Sequence, residues 1–287
     1  MIPGCYTLTD PLTNEMAFAI APFSDSEHFN SLNRYNYFSM LLVNSGAGRL
    51  LRDNAEYNFE AGCLLCFSLY QPFAVYPEAG FEGILINFHP SFFCLFKHRN
   101  EVSCNGVLFN NLYDTPVVKL EDAQMQSLRT IALQMVNELK QENPDHDVVL
   151  SYLKIFLIES SRAKTGQQKA MSNSKSPSML TELQQAIDTH FKTLRMPGDY
   201  SDLLHISEKA LNKSCKQFFN KTLTNLIAER MAIEAKRELY LTAKPVKQIA
   251  YELGYNDEFY FSRFFKKNVG ISPQIFRDTV GFDKLNG

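Results

Sequence analysis

The stretch from residue 244 to residue 277 constrains the fold most, because two short helical patterns meet there at a glycine. The first pattern places three apolar residues on one helical face, Ile249, Ala250 and Leu253. Gly254 follows and can adopt the left-handed conformation that ends a helix. Asp257 can then accept hydrogen bonds from the first N–H groups of a second helix, which runs to about Lys267. The sequence therefore predicts a helix, a tight turn and a second helix.

The second helix of this stretch has two unlike faces at about 100° per residue. One face holds Phe261, Phe264 and Phe265, and the other holds Phe259, Arg263 and Lys266. This is the pattern of a helix-turn-helix, in which an apolar face packs on the domain and a basic face enters the major groove of DNA. Two helices of an ordinary bundle can also meet at a glycine turn, so the spacing alone leaves both structures open.

Many positions in this stretch belong to one signature. They are Ile249-Ala250, Gly254-Tyr255, Asp257, Tyr260-Phe261-Ser262-Arg263, Phe265-Lys266-Lys267, Gly270, Ser272-Pro273 and Phe276-Arg277. The signature resembles the closing motif of the AraC/XylS family of bacterial transcription regulators. The resemblance extends in the same register back to about Met179 and covers the rest of the chain only in outline. It implies a sequence-specific DNA-binding regulator with a sensor domain and a helix-turn-helix domain.

A second copy of the pattern lies 50 residues upstream. A short helix is expected to end near Leu204, and Ser207 can cap the next helix as Asp257 does. The residues expected to face inward on that helix are Leu211, Cys215 and Phe218. The residues expected on its outer side are Lys209, Asn212, Lys213 and Lys216. Because the two caps have equal spacing to their helices, we predict two helix-turn-helix units in tandem.

Residues 224–240, between the two copies, are rich in helix formers and include no Gly or Pro. A helix of that length spans about 25 Å at 1.5 Å per residue. Such a strut can hold two recognition helices in successive segments of the major groove, which lie about 34 Å apart. The spacing permits this placement, and the resemblance to AraC-type proteins implies it.

The outward residues of the two units have expected roles on DNA. Contacts to phosphates or the groove are expected of Lys209, Lys213, Lys216 and Lys266, although each can also be an ordinary solvated charge. Asn212 and Arg263 are expected at base edges, and Ser262 at either kind of site. Phe259 stands where relatives commonly carry a small polar residue, so it presses on a thymine methyl group or folds back onto the domain. The first unit departs from the family pattern at Cys215, Asn220 and Asn225.

From about Cys5 to Val118 the chain shows many short strand patterns with turn residues between them. Examples are the apolar or alternating runs 37–43, 62–70 and 83–88. Such a series predicts an antiparallel sandwich or barrel, and its order resembles the cupin-like sensor of AraC-type proteins. The predicted fold class is therefore α+β with two domains. The N-terminal domain is a cupin-like jelly-roll β-barrel with a helical pair, and the C-terminal domain is an all-α tandem helix-turn-helix.

The barrel lacks the ligand pattern of a metal-dependent cupin enzyme, which needs clustered His and carboxylate residues near its start. This chain has Asn33, Arg34, Tyr35 and Asn36 there. Its histidines, His28, His89, His98, His146, His190 and His205, show no ligand spacing, and His89 is predicted to be structural. Free buried thiols are predicted for Cys5, Cys63, Cys66, Cys94, Cys104 and Cys215, and a metal at Cys63 and Cys66 is not favoured. We therefore expect no catalytic residue, metal or cofactor.

A ligand pocket and a plain apolar core are both compatible with the aromatic residues of the strands. The residues concerned are Tyr37, Phe38, Met40, Phe67, Tyr70, Phe73 and Tyr76. Two alternatives stay open for the sensor: a small-molecule effector, whose chemical class the sequence does not indicate, and a protein partner.

Two amphipathic helical stretches follow the strands. Their apolar residues are Met125, Leu128, Ile131, Ala132, Met135, Val136 and Leu139, then Val149, Tyr152, Leu153, Phe156 and Leu157. These faces can pack on the barrel and on each other. AraC-type proteins, however, often dimerise through helices placed here, so the resemblance implies a homodimer through residues 121–163. Residues 164–178 are polar and small and are predicted to be a linker.

The predicted domains are a sensor and dimerisation domain at 1–163, the linker at 164–178 and the DNA-binding domain at 179–287. Residues 179–287 hold 16 Lys and Arg against 13 Asp and Glu, a net charge of +3, whereas residues 1–178 have a net charge of -5. This difference suits a DNA-binding end and a sensing end. Since no apolar run approaches about 18 residues and no signal peptide pattern is present, we expect a cytoplasmic protein. The expected partners are double-stranded promoter DNA and RNA polymerase, with activation as the commoner role in the family.

Overall fold

The computed structural model describes residues 4–10, 14–24, 28–53, 55–95, 107–109, 112–172 and 178–280. The chain divides into two compact units. Unit 1 comprises Met1–Asn111 and Thr115–Asn173, and unit 2 comprises Leu112–Asp114 and Ser174–Gly287. Unit 1 contains an antiparallel sheet and a helical pair, and the elements described in unit 2 are helices. The predicted α+β class with two domains is confirmed, while the cupin-like jelly roll stays a prediction.

The sheet of unit 1 has seven strands within the described residues. They are β1 (Tyr6–Thr9), β2 (Met16–Phe23), β3 (Phe38–Arg52), β4 (Ala55–Phe59), β5 (Cys63–Phe67), β6 (Phe73–Phe88) and β7 (Val117–Lys119). Their order is β1-β2-β6-β3-β5-β7, with β4 beside β3, and all these pairs are antiparallel. The two long strands, β3 and β6, pair along most of their lengths and organise the others around them.

The register of the β3–β6 pair shifts between Val43 and Gly48. Gly48 is required there because a Cβ atom on it would lie 2.4 Å from the carbonyl oxygen of Tyr76 on the opposite strand. Shifts of this kind disrupt a flat ladder and increase its local twist and bend. One long strand can therefore contribute to both ends of the sheet.

Aromatic side chains fill the core of the sheet. Phe67 and Phe73 stack with ring centroids 3.8 Å apart, inside a cluster that also holds Leu41, Leu50 and Val75. Among the other residues considered for a pocket, Phe38 packs instead on Phe88, and Tyr76 is exposed. The aromatic set thus serves largely as core.

The two predicted amphipathic helices are present as α1 (Asp122–Leu139) and α2 (His146–Ser172). Their apolar faces are buried in unit 1, through Leu128, Ile131, Ala132 and Met135 on α1 and Val149, Leu153, Phe156 and Leu157 on α2. Ser127 of α1 also donates a hydrogen bond of 2.7 Å to Glu159 of α2. Of the two predicted uses of these faces, packing within the chain is the one observed, and dimerisation stays a prediction.

Helix α2 continues to Ser172, so the predicted linker does not begin at Lys164. Lys164 is buried, and its Nζ donates hydrogen bonds to the carbonyl oxygens of Thr115 (2.7 Å) and Val117 (3.4 Å). Polar composition suggested a linker because a solvated helix and a linker share many residue types. Residues 173–177 of the predicted linker lie outside the described residues.

Unit 2 has seven described helices. They are α3 (Ser178–His190), α4 (Pro197–Leu204), α5 (Glu208–Phe219), α6 (Leu223–Leu241), α7 (Val246–Glu252), α8 (Glu258–Val269) and α9 (Pro273–Val280). A core cluster lies among the first four of them and includes Leu183, Tyr200, Leu211 and Leu226. Phe265 lies between Phe261 and Phe276 in the second half, with ring centroids 6.0 and 5.6 Å away.

The 50-residue repeat also includes the helix that follows each helix-turn-helix unit. Helices α5 and α8 are both 12 residues long, and α6 and α9 begin at Leu223 and Pro273. The residues before these last two helices act alike, since Thr222 Oγ1 accepts from Asn225 N (3.1 Å) and Ser272 Oγ accepts from Ile275 N (3.2 Å). The repeat is therefore longer than the two helix-turn-helix units predicted from the sequence.

Three residues from the first half of the chain, Leu112–Asp114, belong to unit 2. Leu112 is buried in the core cluster of the first half of this unit, and its carbonyl oxygen accepts a 3.3 Å hydrogen bond from Lys221 Nζ. The same ammonium group, itself buried, pairs with the carboxylate of Glu229. The Tyr113 ring packs on Phe219 with centroids 5.6 Å apart, and burial raises the pKa of Tyr113.

Candidate nucleic-acid interface

The two predicted recognition helices begin at the predicted caps. Ser207 Oγ accepts a 3.3 Å hydrogen bond from Ala210 N at the start of α5. The Asp257 carboxylate accepts hydrogen bonds of 3.1 Å from the N–H groups of Phe259 and Tyr260 at the start of α8. Because side-chain caps satisfy N–H groups that a helix leaves open, they fix where each helix begins.

The turn before α8 is held by the segment that follows α3. Gly254 has φ +79°, and a Cβ atom on it would lie 2.5 Å from the carbonyl oxygen of Lys192. Arg195 Nη2 donates a 2.8 Å hydrogen bond to the carbonyl oxygen of Leu253. The Arg195 guanidinium also lies over the Tyr255 ring. Contacts outside the helix-turn-helix therefore help to hold the turn between α7 and α8.

Helix α8 presents the face that the sequence predicts. Its buried residues are Phe261, Phe265 and Val269. Its exposed residues are Phe259, Tyr260, Arg263, Lys266 and Lys267, and Ser262 is half-buried beside them. Phe264, predicted to face inward, is half-buried against Tyr255 with ring centroids 5.6 Å apart. The outer side of α8 thus combines aromatic rings with three positive charges.

Helix α5 also presents a basic face, with three exposed lysines. Leu211 and Cys215 are buried as predicted, and Lys209, Lys213 and Lys216 are exposed. Phe218, predicted to face inward, is 44% exposed, whereas the neighbouring Phe219 packs in the core. Tyr113, which contacts Phe219, comes from a part of the chain that the local pattern could not include.

Asn212 has a structural partner within the domain, and its predicted role at a base edge stays a prediction. Its Oδ1 accepts a 3.0 Å hydrogen bond from Leu223 N at the start of α6. Reading adenine with two hydrogen bonds requires that same oxygen as an acceptor for the adenine amino group. The structure therefore uses Asn212 to join α5 to α6. Asn220, which replaces the usual glycine after α5, adopts φ +57°, a conformation that asparagine tolerates better than most residues.

His89, Cys63 and Cys215 have structural surroundings, whereas Cys5, also predicted to be a buried thiol, is half-buried. His89 is buried, with Nδ1 2.8 Å from Ser91 Oγ and accepting from Ser91 N at 3.2 Å. Burial raises the pKa of the Cys63 thiol to about 12 and that of Cys215 to about 11. In the described residues, no three His, Cys, Asp or Glu side chains are grouped for a metal ion. His98 and Cys104 lie outside that part of the chain.

No helix in the described ranges is long and apolar enough to span a membrane.

A family model and two known proteins match the C-terminal part of the chain. A family model described as a helix-turn-helix domain matches residues 200–279. The HTH-type transcriptional activator Btr of Bacillus subtilis is 35% identical over 77 residues, which are 27% of this chain and 15% of Btr. The raffinose operon transcriptional regulatory protein RafR of Pediococcus pentosaceus is 31% identical over 83 residues, which are 29% of this chain and 30% of RafR. The chain thus spans less than a third of the length of either relative.

Two further likenesses extend over most of the chain. The uncharacterized HTH-type transcriptional regulator YfiF of Bacillus subtilis is 22% identical over 272 residues, which are 91% of this chain and 83% of YfiF. The structure of ToxT from Vibrio cholerae covers 92% of this chain and 99% of its own, with a TM-score of 0.42 and 16% identity. The relatives Btr, RafR and YfiF are all named as transcriptional regulators.

The matched region contains both α5 and α8 with their caps. The signature residues that resemble the AraC/XylS motif all lie inside it. The C-terminal domain of this chain is an AraC-type helix-turn-helix domain.

Proposed function

We propose that the chain is a transcription regulator that reads promoter DNA through α5 and α8. The observation that carries this proposal is the pair of capped, 12-residue helices that repeat after 50 residues and expose a basic face each. Lysine and arginine side chains on such faces supply the phosphate contacts that position a protein on DNA. The relatives, all named as transcriptional regulators, support this function over an enzyme carrying a DNA-binding domain.

The proposed contacts follow the exposed side chains. Lys209, Lys213, Lys216 and Lys266 contact phosphates or the groove. Arg263 reads a base edge, where its two parallel N–H donors suit guanine. Ser262, half-buried on the flank of this face, serves as a minor contact. Asn212 is left out of base reading because its oxygen is engaged by Leu223 N.

Helix α6 supports simultaneous binding by both units. Its 19 residues span about 28 Å at 1.5 Å per residue. This length is close to the distance of about 34 Å between successive segments of the major groove on one side of DNA. The proposed operator therefore has two half-sites about one helical turn apart.

Selection of bound sequences from a random DNA pool by the full chain tests the proposal. We expect a two-part motif, with one half relaxed by Arg263→Ala and the other half by Lys213→Ala. Lys140→Ala, which removes an exposed positive charge in unit 1, is the matched control and should leave both halves intact. Enrichment of no sequence, with binding that depends on salt alone, would rule out a sequence-specific regulator.

For unit 1 we propose a role as sensor and dimerisation domain. The proposed regulator is cytoplasmic and acts through RNA polymerase, most simply as an activator. A cleft of about 340 Å³ beside the β4–β5 turn offers a site for a small effector, with Lys119 and Glu60 paired at 2.8 Å on its lining. A homodimer through 121–163 uses the outer sides of α1 and α2, where Leu133 and Ile155 are exposed, because the inner sides are buried.

Two measurements test the role of unit 1. The first is thermal stabilisation by compounds from a metabolite panel. A stabilising compound whose effect is lost in Lys119→Ala supports an effector in the cleft. Stabilisation by a protein alone favours the alternative of a protein partner. Sedimentation of the full chain should show a dimer that Leu133→Glu weakens. A monomer at all concentrations would contradict the dimer.

A further inference from the structure

Phe259 has the most exposed large apolar side chain in the described part of the chain, with 76% of its surface accessible. Its neighbour Tyr260 is 59% exposed, so two aromatic rings stand side by side in the first turn of α8. A single exposed apolar residue is common on protein surfaces and needs no explanation. The two adjacent rings of α8 require an explanation because of their position. The N-terminal residues of a recognition helix are the ones that contact base edges of DNA.

The alternative that Phe259 folds back onto the domain does not fit the structure. The Asp257 carboxylate holds the backbone N–H groups of Phe259 and Tyr260, which fixes the first turn of the helix. The inward direction from that turn is already occupied by Phe261, which is fully buried. Phe259 lies about 160° away from Phe261 around the helix, given about 100° per residue. Its ring therefore points to solvent.

The surroundings of Phe259 indicate what it contacts. Arg263 lies one turn further along the same face, exposed, with its guanidinium 5.9 Å from the centroid of the Tyr260 ring. Lys266 continues this face. If the basic face of α8 contacts DNA, the apolar ring in that face will lie against an apolar group of the DNA. In the major groove of DNA that group is the C5 methyl of thymine, which no other standard base presents.

We propose that Phe259 contacts a thymine C5 methyl group in the half-site read by α8, and thereby determines sequence specificity at that base pair. This inference rests on the proposed function, because it requires α8 to lie in the major groove. Tyr260 supports the neighbouring Arg263, whose guanidinium lies near its ring, and is not itself the methyl contact.

The test uses the full chain and the DNA site obtained by selection. Each thymine in the half-site relaxed by Arg263→Ala is replaced in turn by deoxyuridine, which lacks only the methyl group and keeps every hydrogen-bonding atom. For one of these positions we expect affinity of the unchanged protein to fall about fourfold, the equivalent of roughly 0.8 kcal/mol for one buried methyl-sized group. Phe259→Ala should bind the thymine and deoxyuridine sites equally.

Two further variants separate this contact from other causes. Lys266→Ala should weaken binding to both DNAs alike and keep the fourfold ratio, because a phosphate contact does not sense the methyl group. Tyr260→Ala should also keep the ratio. If no deoxyuridine substitution weakens binding to a selected site, or Phe259→Ala keeps the ratio, the inference is overturned while the proposed function stands. Failure to select any site overturns the proposed function instead.

A protein partner is the alternative occupant of this surface. If Phe259→Ala left the ratio unchanged but weakened binding of RNA polymerase to the complex with DNA, the ring would be a protein contact and the inference would be wrong.

Discussion

The guanidinium of Arg195 lies 3.9 Å from the centroid of the Tyr255 ring, and so joins the segment after α3 to the turn before α8. The two residues are 60 positions apart in the sequence. Arg195 also donates to the Leu253 carbonyl oxygen, so one side chain contacts two consecutive parts of the turn. The orientation of α8 thus depends on a residue outside both helix-turn-helix units.

Replacing Arg195 should weaken readout by α8 selectively. In Arg195→Ala the stacked cation and its hydrogen bond are lost, and together they are worth about 1 to 2 kcal/mol. We expect lower stability and a relaxed α8 half-site, with the α5 half-site unchanged, measured by urea unfolding and by selection from a random DNA pool. Lys192→Ala, at an exposed residue of the same segment, is the control. Equal relaxation of both halves would show that Arg195 does not act through α8.

Gly254→Ala should destabilise unit 2. The left-handed conformation costs a residue with a Cβ atom about 1 to 2 kcal/mol, and here the Cβ also meets the Lys192 carbonyl oxygen at 2.5 Å. We expect a loss of more than about 2 kcal/mol in the free energy of unfolding followed by circular dichroism. Gly166→Ala is the matched control, because Gly166 lies in α2 with open space around its Cβ position. That change should be neutral or stabilising by up to about 1 kcal/mol.

Asn212→Ala should affect stability more than base preference. Leu223 N would lose its acceptor, at a cost of about 1 to 2 kcal/mol. Asn212→Asp keeps an acceptor oxygen at that place and should retain most of the stability. Urea unfolding and selection of bound DNA are the measurements. A variant with full stability but a relaxed adenine position would favour the base-reading role predicted from the sequence.

Lys221→Met should strongly destabilise the first half of unit 2. The buried ammonium pairs with Glu229 and donates to the Leu112 carbonyl oxygen, and its removal leaves the carboxylate without that cation. Loss of one partner of a fully buried pair costs about 3 to 5 kcal/mol, and we expect a smaller loss here because Glu229 is half-buried; replacing both partners should cost less still. The double variant Lys221→Met with Glu229→Gln should therefore unfold at a higher urea concentration than the single variant. The reverse order would contradict a role for the pair.

Local signals predicted much of unit 2. The caps at Ser207 and Asp257, the left-handed Gly254 and the outward face of α8 depend on residues within about four positions of one another, a range that helical periodicity and turn chemistry cover. In unit 1 the same signals predicted strands and two amphipathic helices. They could not give the order of strands in the sheet, because pairing joins residues far apart in sequence.

The predictions that differed from the structure depend on distant partners. The sequence pattern of α5 did not indicate that Asn212 accepts a hydrogen bond from Leu223 N. Phe218, predicted to face inward, is exposed, and the neighbouring Phe219 instead packs on Tyr113. Lys164 suggested the start of a linker, although it bonds to the backbone of β7. Composition and periodicity do not predict contacts between residues that are far apart in the sequence.

Because Leu112–Asp114 belongs to unit 2, this unit is a discontinuous domain, joined to unit 1 by three peptide connections instead of one. After a single proteolytic cut among residues 173–177, helices α3–α9 would keep only non-covalent contacts to the 112–114 segment. A fragment that begins at Ser174 would keep helices α3–α9 but have a vacancy where Leu112 packs, and Lys221 would lose an acceptor. A fragment meant to isolate the DNA-binding domain should therefore receive the 112–114 segment as a separate peptide or carry it as a fused extension.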